Sequence, residues 1–127
     1  MDRVITNILT ADPAAAADFY GALLGMTRHF TSDWFVILTH SDMPGLEYGL
    51  LQRDHAIVPD AARGAPGGVM VTFVVADCDA VHAQAQTMGA DIVAPPEDMP
   101  YGQRRMILRD PDGTILDISA PTAPRPG

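Results

Sequence analysis

The chain has 127 residues, enough for one hydrophobic core without a disulfide framework, and 47% apolar with 19% charged residues excludes a disordered polymer. A net charge of −8 excludes the broad basic surface that nucleic acid or an anionic membrane requires, and the single Cys78 excludes an internal disulfide or a multi-cysteine zinc site. No apolar run reaches membrane-spanning length and no basic-then-apolar leader is present, so a cytoplasmic protein is expected.

Arg3–Leu9 reads as a strand, with Val4, Ile5, Ile8 and Leu9 around Thr6 and Asn7. Asp12 then suits a helix N-cap, with Pro13 in the first turn, where its missing N–H costs nothing. The helix extends to about Leu24, and Gly25 closes it. Arg28–Ser32, Trp34–Thr39 and Leu46–Leu51 read as three further strands, with a turn over 41–45 between the last two. Residues 53–68 are polar, rich in Gly and Pro, and read as a connector. A second series follows: strand Val69–Val75, cap Asp77, helix to Met88, Gly89, then strands near Asp91–Ala94, Arg104–Arg109 and Thr114–Ser119. Asp110-Pro111-Asp112-Gly113 reads as a tight turn before the last strand, and 122–127 as a loose tail.

The two series repeat each other. Thr6-Asn7-Ile8-Leu9-Thr10-Ala11-Asp12 and Val71-Thr72-Phe73-Val74-Val75-Ala76-Asp77 both run an apolar strand into Ala-Asp, a helix and a glycine. The expected organisation is a single α+β domain over residues 1–121. It contains two tandem βαβββ modules, 1–52 and 69–121, which can close a curved eight-stranded sheet around a cup with the helices outside. The same elements could also form an open sheet.

Thr10-Ala11-Asp12, Asp18-Phe19-Tyr20 and Leu24-Gly25-Met26 in the first half resemble the vicinal oxygen chelate superfamily. So do Met88-Gly89-Ala90, Pro100-Tyr101-Gly102 and Asp110-Pro111-Asp112-Gly113 in the second. That group includes glyoxalase I, bleomycin-resistance proteins and extradiol dioxygenases. The resemblance covers roughly residues 3–120 and implies paired modules and, commonly, a homodimer, with pairing either within a chain or swapped between chains. In the family's metal enzymes, a residue on the first strand and a carboxylate on the last strand of each module hold a divalent ion. Those slots fall here on Ile5 and Met70, on Asp117, and on either Gly49 or Leu50. An aliphatic side chain or a glycine offers no lone pair, and a thioether is too soft for a hard ion. The resemblance therefore implies no resident cofactor, with a divalent metal at unexpected residues as the alternative.

Strand alternation places Asn7 and Thr72 beside Ile5 and Met70 on the cup wall. Tyr48, Arg105 and Asp117 are further expected ligand-binding residues, with Arg105 a fork of donors for an anionic or carbonyl-bearing ligand. Trp34 or Phe35 would stack a flat molecule, and Tyr101 sits on a loop at the mouth. His29, His40, His55 and His82 occupy no ligand slot. Cys78, at a helix N-terminus, is placed to have its pKa lowered. The expected function is binding or sequestration of a small organic ligand. The alternative is a glyoxalase-like lyase or isomerase, or a ring-cleaving dioxygenase, with Asp117 as the catalytic group.

Overall fold

The computed structural model describes residues 1–122; the expected tail lies outside them except for Thr122. Among the described residues, eight strands form two four-stranded sheets, and each sheet is accompanied by one α-helix. The residues group into two compact units. The first comprises Met1–Gly67 with Pro111–Gly113, and the second comprises Gly68–Asp110 with the residues from Thr114 onward.

The first unit contains β1 (Thr6–Thr10), α1 (Pro13–Leu24), β2 (Thr27–Thr31), β3 (Phe35–His40) and β4 (Met43–Gln52), in sheet order β1-β4-β3-β2. Asp12 caps α1 by accepting from Ala15 N at 3.1 Å, and Gly25 ends it in the left-handed region at φ 70°. β1 runs parallel to β4 with Asn7 opposite Gly49 and Ile8 opposite Leu50. The remaining pairs are antiparallel. The helix packs on one sheet face, where Ala16, Ala17, Tyr20 and Leu23 meet Ile8, Val36, Leu38, Tyr48 and Leu50. Residues 53–67 fold back onto this unit, with Val58 buried and a short 3₁₀ turn over Asp60–Ala62.

The second unit repeats the plan with β5 (Met70–Val74), α2 (Cys78–Thr87), β6 (Asp91–Asp98), β7 (Gln103–Arg109) and β8 (Ile115–Pro121), in order β5-β8-β7-β6. Asp77 caps α2 through Ala80 N at 3.1 Å, as Asp12 caps α1. Cys78, Ala85, Met106, Leu108, Leu116, Ile118 and Ala120 are its buried apolar residues. Three strands outrun expectation by two residues or more. β4 begins at Met43, so the turn before it is confined to Ser41 and Asp42 and does not extend over 41–45. β6 continues to Asp98 through Pro95 and Pro96, which an edge strand tolerates because the ladder skips from Ala94 to Glu97 around them. β8 includes Pro121.

Candidate functional site

Residues paired across a ladder stand on the same side of the sheet, so the register sorts every side chain into a helix face and an opposite face. In the first unit, the Tyr48 hydroxyl donates to the Tyr20 hydroxyl on α1 at 2.9 Å, and Arg28 Nη2 reaches Asp18 on α1 at 2.9 Å. Tyr48, Leu38 and Arg28 share one row and therefore line the helix side. Asn7, Gly49, Ile37 and Phe30 form the neighbouring row on the opposite side, followed by Leu9, Leu51 and Phe35. Tyr48 is thus not on the face that carries Asn7, which corrects its expected place in the ligand site. Its ring is buried edge-on against Tyr20, with centroids 4.9 Å apart. Ile5, half-buried, precedes β1 by one residue and Asn7 by two.

The register also decides between Gly49 and Leu50. Asn7 lies opposite Gly49 as Thr72 lies opposite Asp117, so Gly49 is the counterpart of Asp117, while Leu50 is fully buried on the helix side. Gly49 is a requirement of close approach. A Cβ there would collide with the Asn7 carboxamide oxygen and come within 2.9 Å of Phe35 Cε1. The Asn7 amide and the Phe35 ring therefore converge over the bare backbone of Gly49.

Phe35 begins a group of rings. It stacks with Trp34 at 5.8 Å and lies 6.1 Å from Phe30, which is 48% exposed. Trp34 stands at the tip of a turn closed by Ser32, whose N–H donates to Phe35 O at 2.8 Å and whose Oγ accepts from Phe35 N at 3.1 Å. The backbone of Gln52 holds Trp34 O at 2.8 Å. A second turn then lays His55 flat on Trp34, with centroids 3.9 Å apart and planes 13° from parallel. Ile57 N donates to His55 Nδ1 at 3.2 Å, which orients the imidazole. Two residues before Gly49, Glu47 accepts from Arg3 at 2.6 and 2.5 Å, and this pairing holds its carboxyl below the usual range.

In the second unit, Arg104 Nε donates to Asp79 of α2 at 3.0 Å, so the Arg104 row faces the helix. Arg105, Ser119 and Val74 form one opposite row, Ile107, Asp117 and Thr72 the next, and Met70 with Ile115 the third. Met70, Thr72, Arg105 and Asp117 are therefore gathered on one face. Asp117 is only 6% exposed. Its Oδ2 accepts from Thr72 Oγ1 at 3.1 Å and its Oδ1 from Ser119 Oγ at 2.7 Å. Arg105 makes no ion pair among the described residues, and Tyr101 stands exposed on the β6–β7 hairpin. Cys78 departs from expectation: burial, reinforced by Asp79, pushes its thiol up, and Sγ lies 3.4 Å from Ile118 O.

The model of the Glyoxalase/Bleomycin resistance protein/Dioxygenase superfamily matches residues 3–118. The chain belongs to that superfamily. It is 33% identical over 122 residues to "Putative glyoxylase CFP32" of Mycobacterium tuberculosis (strain CDC 1551 / Oshkosh), a match covering 91% of this chain and 42% of the relative. It is 28% identical over 126 residues to "Anthracycline biosynthesis protein DauV" of Streptomyces sp. (strain C5), covering 84% of this chain and 42% of that protein. The chain thus spans less than half the length of these curated relatives. A glyoxalase/bleomycin resistance protein/dioxygenase family enzyme from Burkholderia phytofirmans PsJN shares the fold, with a TM-score of 0.78 at 19% identity, covering 91% of this chain and 95% of its own.

The superfamily's divalent ion does not fit the residues present. In the first unit, Ile5 has no donor atom, and the space above Gly49 holds Asn7 Oδ1 and the Phe35 ring. In the second, Met70 offers only a soft thioether, which leaves Asp117 as a single hard donor where a divalent ion needs several. Among the described residues no group of three or more His, Cys, Asp or Glu is placed to hold a metal.

Sequence reasoning did not find His55, Phe30, Ser119 or the Gly49 hollow. Ser119 was within reach, two residues from Asp117 on one strand and hence on its face. His55 carried no signal, since its stacking depends on a turn of the connector.

Proposed function

We propose that this superfamily member binds a small, flat organic molecule against the ring group of the first unit, without a resident metal ion. The observation that carries this reading is the cluster of Phe30, Trp34, Phe35 and His55, partly exposed beside the Asn7 carboxamide. Rings in offset or edge contact gain stabilisation beyond area burial alone, and apolar pockets with few polar groups are the usual form of small-molecule sites. One relative is named for anthracycline biosynthesis, and anthracyclines are flat aromatic compounds. Binding as a homodimer in the cytoplasm belongs to the same proposal, and light scattering on the purified chain checks the dimer.

Trp34 is the only tryptophan, so tryptophan emission, excited selectively over the tyrosines, reports on the site. Titration with quinoline, a flat neutral probe, is expected to change that emission saturably, and Phe30→Ala to weaken binding about tenfold. A linear, unsaturable response would overturn the reading.

A second reading, acid–base catalysis of a lyase, isomerase or ring-cleaving type, is favoured by the buried Asp117 carboxylate and by Arg105 on the same face, which makes no ion pair among the described residues. It expects turnover of a carbonyl substrate that Asp117→Asn abolishes while leaving the fold intact.

A further inference from the structure

The ring group explains why a flat molecule would bind but not which one, and the Asn7–Gly49 pair narrows the choice. Asn7 is exposed, and its side chain makes no hydrogen bond among the described residues. A carboxamide carries an acceptor oxygen and two donor hydrogens, so this one offers both polarities at the edge of the Phe35 ring. The nearest charged groups, Arg3 ahead of β1 and Glu47 on β4, are bound to each other through two bonds.

Resting on the ring reading above, we infer that Asn7, seated over Gly49, selects ligands bearing an uncharged amide-type group on a flat aromatic ring. A ligand amide returns both polarities of Asn7 in a reciprocal pair. A carboxylate could accept from the Asn7 amide but would meet its oxygen with a second negative group, on a chain of net charge −8. A plain hydrocarbon would cover the carboxamide and leave it unpaired, which a polar group resists. Gly49 is then a specificity-determining position, because only the absence of a Cβ lets the Asn7 amide lie where it does.

Calorimetric titration of the full chain with quinoline-3-carboxamide, quinoline-3-carboxylate and quinoline at neutral pH tests this. The wild-type protein is expected to bind the carboxamide about tenfold tighter than either of the others. Asn7→Ala, at an exposed position that folding tolerates, is expected to weaken the carboxamide about tenfold and so bring the three probes to within about threefold of one another. Gly49→Ala, whose Cβ would displace both the Asn7 amide and the edge of Phe35, is expected to remove the preference for the carboxamide. Equal binding of all three probes to the wild type, or an undiminished preference in Asn7→Ala, overturns this inference and leaves the ring reading standing. Binding of none of the three overturns both.

Discussion

Thr10 is 1% exposed, and its hydroxyl donates to Asp112 Oδ2 at 2.5 Å while also accepting from Asp12 N at 3.2 Å. Asp112 Oδ1 accepts from Ala11 N at 2.8 Å, so one carboxylate ties down the corner between β1 and α1 within the first unit. Removing Asp112 leaves the buried Thr10 hydroxyl without its acceptor, which costs more than an average hydrogen bond contributes. Asp112→Ala is therefore expected to destabilise the protein by about 1–3 kcal/mol, with Asp112→Asn recovering part of the loss, as read from urea midpoints. Cys78 supplies a pH test. Its raised pKa means that stability from the neutral buried thiol is present below the unfolded-state value and lost as pH rises through the folded one. Thiol reagents at neutral pH are expected to label Cys78 only slowly until the protein is unfolded. Rapid labelling of the native protein would contradict the burial.

The elements follow local chemistry closely where that chemistry is local. Asp12 and Asp77 were readable as caps because an N-cap needs only a short acceptor and the next three residues. Tyr48 was not readable, because its side depends on whether Gly49 or Leu50 stands opposite the β1 polar residue, and a one-residue change in register flips every side chain. β6 was read short for a different reason: Pro95 and Pro96 signal a strand end, but on an edge strand they only remove ladder bonds. The helix-face core of the first unit predicts a large penalty for truncation. Leu50→Ala is expected to cost about 2–5 kcal/mol, whereas Leu46→Ala, half-buried near the start of β4, should cost well under half as much.

Across the whole molecule, the duplication seen in the sequence reappears as two units of identical strand order, each with a capped helix on one sheet face. Equivalent positions, however, have diverged in chemistry. Where the second unit keeps a carboxylate, Asp117, satisfied by Thr72 and Ser119, the first has Gly49 covered by the amide of Asn7. That difference was partly legible, since the missing donors at Ile5, Met70 and the Gly49/Leu50 position stand in the sequence. The filling of the hollow by Asn7 and Phe35 was not, because it depends on side-chain packing across three strands. That divergence is what supports the proposed small-molecule binding without a resident ion. Its most direct test is the divalent metal content of protein equilibrated with Mn²⁺, Fe²⁺, Ni²⁺ or Zn²⁺ and then desalted, measured by plasma mass spectrometry. Substoichiometric metal for every ion is expected, and one tightly held ion per chain would contradict it.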